Sequence, residues 1–305
     1  MSFPLFASLK KANPGIRITV LSPNKNSSRI LERNPNIDRV YEYGLKRFHY
    51  KDVALFFMKG FVSLWHLFFK ERFDLFIIVH PNGFRTLLRW LLPALHVIQN
   101  RENTHKTREV ENILRYLGIP AVYDYLLSEP ENRIDLNKYG LKRRDYIALD
   151  LYSQYLEKDP RQWPYMEDLL KALVARKQKV VIVGINPRHE IRNDAVDLVN
   201  KTSLSELLEI IRHARLVVAM DTGLFHFSYS QKTPVLGLFG PVDPLERIPY
   251  DKNLIVDYLY TGADCSPCIV NRVDIPCRRE EEPYKCTRDI SVEAVLERVE
   301  NLLGI

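Results

Sequence analysis

Asp221, Thr222, Gly223 and His226 stand close together in residues 216–249, LVVAMDTGLFHFSYSQKTPVLGLFGPVDPLERIP. A carboxylate followed at once by threonine and glycine suits a strand end that turns directly into a helix. The first N–H groups of such a helix have no partner within it and can meet an anion. Asp221 could accept hydrogen bonds from ligand hydroxyls; its plainer reading is as the cap of the helix that continues through Leu224. His226, one turn along, either contacts a phosphate, holds Asp221, or packs beneath the helix. The set suits a phosphorylated or polyhydroxylated ligand. Sulfur supplies a second candidate chemistry. The chain's 4 cysteines are Cys265, Cys268, Cys277 and Cys286. Four clustered thiols suit a tetrahedral zinc or iron site, with disulfides or free thiols as the alternatives. Four protein thiolates leave a metal no open position, so its role would be structural, not catalytic.

These residues need elements to position them. Val217, Val218 and Ala219 form an unbroken apolar run, as in a strand covered on both faces. Further strand candidates fall at 16–21, 75–79 and 96–99 in the first half, and at 146–149, 180–183, 235–239 and 253–256 in the second. Helical patterns lie between them, notably at 166–176, 204–213 and 292–303. In SLSELLEIIRHAR, Ser203 or Ser205 is placed to cap a helix whose apolar stripe is Leu204, Leu207, Leu208 and Ile211. Strand and helix in alternation predict an α/β protein with parallel sheets and helices on both faces. In such sheets ligands sit at the carboxyl ends of the strands. Gly184 closes the strand VVIVG at that same edge and would allow close approach of chain or ligand. The charged stretch 135–145, DLNKYGLKRRD, marks a boundary between domains spanning 1–142 and 143–305, with a four-cysteine knuckle at 265–286 in the second.

The pattern D-T-G-x-x-H followed by P-V-x-x-L-F-G-P-x-D-P resembles the bacterial heptosyltransferases, glycosyltransferase family 9. LKKANPGIRITVLSP, ILERNPNIDRVYEY and FDLFIIVHPN resemble the family's first-half segments. CSPC, the two later cysteines and TRDISVEAVLERV resemble a tail found in many members. The resemblance implies two Rossmann-like domains facing a cleft, the GT-B architecture. It also implies inverting transfer of a heptose from ADP-heptose to lipopolysaccharide core or a related surface glycan. Asp221 would then lie at the donor sugar, with Thr222 and Gly223 offering N–H groups to the pyrophosphate. The loop carrying Ser153, Lys158 and Arg161 would face the donor too. The family commonly has K-x-W-P there; this chain has Arg161-Gln162-Trp163-Pro164. An arginine can clamp phosphate with two bonds, and Lys158 is the competing cation. The small residues usual before the serine are replaced by Leu149-Asp150-Leu151-Tyr152. A solvated basic loop is the alternative for this segment.

His80, Asn82 and Arg85 follow the strand FDLFIIV and are either acceptor contacts or solvated loop residues. Arg85 and Arg89, with Lys106 and Arg108, could meet an anionic, lipid-linked acceptor. Residues 54–69, ALFFMKGFVSLWHLFF, are too short and interrupted to span a bilayer. They read either as a core helix or as an interfacial one making a peripheral contact with the inner membrane. Family members open with an apolar strand and a Gly-Asp turn that carries the base for the acceptor hydroxyl. Here Met1 falls where the first helix begins, so the first domain reads as incomplete and the catalytic base is unassigned. The open readings are a start upstream of Met1, an inactive paralogue that binds a nucleotide sugar or a partner enzyme, and a different residue serving as base.

Composition narrows the remaining classes. Over 305 residues, 46% apolar and 27% charged content describe a folded globular chain with length enough for two domains. No signal peptide or long apolar span is evident, and a nucleotide-sugar user is expected in the cytoplasm, where structural disulfides are rare. A net charge of +6 favours anionic partners. Nucleic acid is excluded on the cysteine region itself, where Glu280 to Glu282 would repel phosphate and no aromatic–basic interleaving occurs. No metal is expected in the chemistry.

Overall fold

A computed structural model describes residues 3–42, 72–79, 94–99, 106–128, 135–152, 159–186, 189–190, 192–268, 277 and 279–305. The chain divides into two compact units, Met1–Glu129 and Pro130–Ile305.

In the first unit, helix α1 (Phe3–Ala12) leads into strand β1 (Thr19–Ser22), helix α2 (Lys25–Leu31) and strand β2 (Arg39–Glu42). β1 and β2 pair in parallel, with Thr19 opposite Arg39. Strands β3 (Phe73–Ile78) and β4 (Ala94–Gln99) form a second parallel pair, and helix α3 (Lys106–Tyr116) follows. Leu5, Phe6 and Leu9 of α1 pack with Val110, Ile113 and Leu114 of α3 and with Ile18 into one core. β1 starts later than the apolar run from residue 16 suggests. The Ile18 N–H is taken by the Asp38 carboxylate at 2.6 Å, and Asp38 is held in turn by Lys10 at 2.8 Å. With that N–H committed, the ladder begins at Thr19.

The second unit is built on strands β5 (Ile147–Asp150), β6 (Val180–Val183), β7 (Val196–Asp197), β8 (Leu216–Met220), β9 (Val235–Phe239) and β10 (Val256–Tyr260). They form one parallel sheet in the order β10-β9-β8-β5-β6-β7. Every residue of β5, β6, β8 and β9 is buried, as the unbroken apolar runs require of strands covered on both faces. Helices α4 (Met166–Ala175), α5 (Leu204–His213), α6 (Gly223–Ser230), α7 (Lys285–Arg288) and α8 (Val292–Leu303) complete the unit. Ser203 rather than Ser205 caps α5, accepting from the Glu206 N–H while Glu206 returns a bond to the Ser203 N–H. β10 lies later than the 253–256 expected from sequence. The Asp251 carboxylate accepts from both the backbone and the side-chain amide of Asn253, which fixes a turn there. Pairing with β9 then sets in with the Ile255 carbonyl.

The strand order positions the site. From β5 the chain winds outward through β6 and β7, then returns to the other side of β5 as β8. Connections on the two sides of β5 therefore run in opposite directions, opening a crevice at the carboxyl ends of β5 and β8, where sheets of this kind bind ligands. No helix among the described residues is long and apolar enough to cross a membrane. The segment 54–69 lies outside the described residues.

Candidate functional site at the β5–β8 switch point

Two aspartates close the two strands at this crevice. Asp150 is the last residue of β5, and Asp221 follows β8 directly. The chain leaves β8 through Asp221 and Thr222 and enters α6 at Gly223. Thr222, not Asp221, is the cap of that helix: its Oγ1 accepts from the Leu224 N–H at 3.3 Å. The Asp221 side chain is thus left for other partners. Its Oδ1 accepts from Arg247 Nε at 3.1 Å, and His226 Nε2 lies 3.9 Å from the same oxygen. Its backbone carbonyl accepts from Arg161 Nη1 at 3.2 Å.

Each guanidinium is itself anchored. Arg161 donates through Nε and Nη2 to the two oxygens of Asp159 at 2.9 and 2.6 Å, a fork that fixes its plane. Arg247 donates from Nη1 to Glu246 at 3.2 Å. His226 is oriented by its Nδ1 contact with the Tyr229 hydroxyl at 2.8 Å and by an edge-on packing with Phe225. Beneath the site, Trp163 is fully buried, with its indole N–H bonded to the Ile290 carbonyl at 2.9 Å and its backbone N–H against Met220 Sδ. That tryptophan ties the Arg161 loop to β8 and to the start of α8.

Asp150 has a different environment. It accepts a short hydrogen bond from the Thr222 hydroxyl and a second from the Tyr152 backbone N–H. Burial pushes its carboxyl up to about 7, against the opposing pull of those two bonds and of the nearby Arg161 charge. On its other side Gly184, at φ +130°, brings bare backbone near: a Cβ there would stand 3.4 Å from Asp150 Oδ1.

The structure therefore gathers Asp221, Thr222, Gly223, His226 and Arg161 at one crevice. Ser153 and Lys158, and His80, Asn82, Arg85 and Arg89, lie outside the described residues, as do the side chains of Lys106 and Arg108. Sequence reasoning assigned no role to Asp150, Asp159, Glu246 or Arg247. Asp150 had one visible signal, a lone carboxylate ending an otherwise apolar strand. Arg247 had only its place after a strand end at Gly-Pro.

The cysteines lie elsewhere in the same unit. Cys286, in α7, is buried, and its thiol is pushed up to about 11 by burial first and then by the charges of Cys268, Cys265 and Cys277. The Tyr284 N–H points at Cys277 Sγ at 3.2 Å. Among the described residues, however, no three Cys, His, Asp or Glu side chains already form a metal-holding group.

A parallel, doubly wound sheet with a helix start at its switch point defines an α/β class of protein. Comparison with known proteins narrows this. The family model for glycosyltransferase family 9 (heptosyltransferase) matches residues 84–275. Lipooligosaccharide heptosyltransferase 2 of Haemophilus influenzae is 23% identical over 350 aligned positions, covering 100% of this chain and 95% of that protein. A family 9 glycosyltransferase from Veillonella parvula superposes with a TM-score of 0.73 at 20% identity, over 99% of this chain and 92% of that one. Escherichia coli heptosyltransferase WaaC, solved with ADP, superposes at 0.67 with 16% identity, over 99% and 95%. The chain belongs to glycosyltransferase family 9, the heptosyltransferases, and has their α/β fold of parallel sheets in two units.

Proposed function

We propose that this chain transfers a heptose from ADP-heptose to a lipopolysaccharide core or related lipid-linked surface glycan, by single inverting displacement at the anomeric carbon. The observation that carries this reading is the Asp221–Thr222 turn at the β5–β8 switch point. There a buried carboxylate, two anchored guanidiniums and a helix start converge. Asp221 would accept hydrogen bonds from sugar hydroxyls through the oxygen that Arg247 leaves open. The N–H groups at Gly223, with Arg161, would face the departing diphosphate and stabilise its charge without a divalent cation. That relatives of this fold are lipooligosaccharide heptosyltransferases, and that one was solved with ADP, supports donor and acceptor class. The work would be done in the cytoplasm, at the inner-membrane face where such acceptors are presented.

In the same reading, Cys265, Cys268, Cys277 and Cys286 hold a structural zinc or iron. An all-thiolate donor set suits either metal. The ion would pin the segment between β10 and α8 and take no part in transfer.

Titration calorimetry with ADP, and with UDP and GDP as controls, tests the donor site. Selective ADP binding that Arg161→Ala weakens by tenfold or more supports it. No binding of any nucleotide would overturn it. ADP binding without turnover on any heptose acceptor would instead make the chain the inactive paralogue.

A further inference from the structure

Among the described residues, the crevice holds more carboxylates than guanidiniums. Asp150, Asp159, Asp221 and Glu246 are all buried, at 4%, 4%, 7% and 1% exposure. Facing them are two guanidiniums, and both are engaged. Arg161 is forked onto Asp159, and Arg247 lies between Asp221 and Glu246. His226 stands beside Asp221. Among the described residues, Asp150 alone of the four carboxylates has no ion-pair partner. Its bonds come from neutral donors, the Thr222 hydroxyl and the Tyr152 N–H. At the end of β6, Gly184 presents only backbone to it, and among the described residues no cation pairs with it from that side. Further out, His189 packs on the Tyr152 ring but is bonded to Asp197 at 2.8 Å, and Arg192 is tied to Glu167 and Asp194.

A nucleotide diphosphate brought to the Thr222–Gly223 turn adds negative charge within reach of this unpaired carboxylate. At low effective dielectric that repulsion is large, and a proton is the smallest change that removes it. We propose that Asp150 is the proton-binding, positioning residue of the donor site: a diphosphate enters together with one proton, taken from solvent onto the Asp150 carboxylate. The inference rests on the donor-site reading above. One O–H bond forms on Asp150, and nothing is oxidised or reduced.

The hydrogen-bond geometry gives that proton a second effect. While Asp150 is ionised, the Thr222 hydroxyl hydrogen is committed to it. Once protonated, Asp150 can donate to Thr222 Oγ1, and the threonine hydrogen is released to turn toward a phosphate oxygen. Thr222 keeps its cap on the Leu224 N–H in both states, since its oxygen can accept twice. The site thereby exchanges a repulsive charge for a hydrogen-bond donor. Burial places the switch in the working range, at about 7.

Calorimetry of the full chain with ADP-heptose tests this, because its diphosphate diester does not itself titrate near neutrality. Titrations at pH 8 in Tris and in EPPS, whose ionisation heats differ, should give apparent enthalpies that differ by the heat of at least about half a proton taken up per ligand. At pH 6, where Asp150 already carries its proton, titrations in MES and in phosphate, whose ionisation heats also differ, should agree. Affinity should fall by up to about tenfold per pH unit above 7. In Asp150→Asn, whose amide is a permanent donor to Thr222, affinities at pH 6 and pH 8.5 should lie within about threefold of each other, with no buffer dependence. Binding with equal heats in both buffers at pH 8 would overturn the proposal while leaving the donor site standing. Absence of ADP-heptose binding at every pH would overturn both. The wild-type buffer comparison decides the matter even if the variant folds poorly.

Discussion

Asp150→Asn should gain stability on the wild type as pH rises, in a direction set by the burial of the Asp150 carboxyl. The carboxyl is raised from 3.8 to about 7 in the folded chain. A group whose folded value lies above its unfolded one binds more protons when folded. Its contribution is intact at low pH and is lost as pH rises, with the loss complete above about 7. At 1.36 kcal/mol per unit, ionised Asp150 costs the fold about 4 kcal/mol at pH 8.5. At pH 5 the folded carboxyl is protonated while the unfolded one is already mostly ionised, so part of that cost, roughly 2 kcal/mol, is present there too. Asparagine keeps the shape and removes the titration, although its amide matches the Thr222 and Tyr152 bonds imperfectly. That mismatch is the same at every pH and cancels in the comparison. Urea denaturation followed by circular dichroism at pH 5 and pH 8.5 should therefore show the variant gaining about 2–3 kcal/mol on the wild type between the two conditions. Parallel stability profiles, with a difference constant to about 0.5 kcal/mol, would refute the reasoning. Asp150 would then titrate alike in the folded and unfolded chains, and no buried, unpaired carboxylate would exist at this strand end.

Gly237→Ala should strain the floor of the site. A Cβ there would stand 2.5 Å from Phe239 Cε2 and 2.7 Å from Phe225 Cε2, both on fully buried rings. A loss of about 1–3 kcal/mol in urea stability is expected, and Phe225 would carry the displacement into α6 and weaken ADP binding; unchanged stability and binding would contradict this packing. Elemental analysis of protein purified without chelator should find about one zinc or iron per chain. Removal by a chelator, or Cys286→Ser, should raise hydrogen exchange between β10 and α8 while sparing β5 and β8, and metal-free protein with unaltered exchange would count against a structural ion.

Much of the second unit was legible because its physics is local. The runs VVIV, LVVAM and VLGLF are buried on both faces, and an unbroken apolar run needs no knowledge of its neighbours to be recognised. The same holds for a serine cap before α5, which the sequence left between Ser203 and Ser205, and for Asp-Thr-Gly as a strand end opening a helix. Elsewhere local pattern failed for identifiable reasons. The start of β1 is set by Asp38, a residue 20 positions from the N–H that it takes. β10 could not be placed without knowing that Asp251 fixes a turn before it.

The charge pattern of the site was out of reach for the same kind of reason. Nothing in the residues around Arg247 says that it will meet Asp221, 26 positions earlier, nor does Leu-Asp-Leu-Tyr announce that Thr222 will bond to its aspartate 72 positions away. Read along the chain, Asp150 and Asp221 are equivalent carboxylates ending apolar strands. Only the return of the chain to the far side of β5 makes them neighbours. Only their unequal partners, a guanidinium for one and a neutral hydroxyl for the other, separate their chemistry. Where two like acids sit side by side in unlike surroundings, the surroundings assign the roles. Here they leave Asp221 as the carboxylate that Arg247 orients, and Asp150 as the group free to take up a proton.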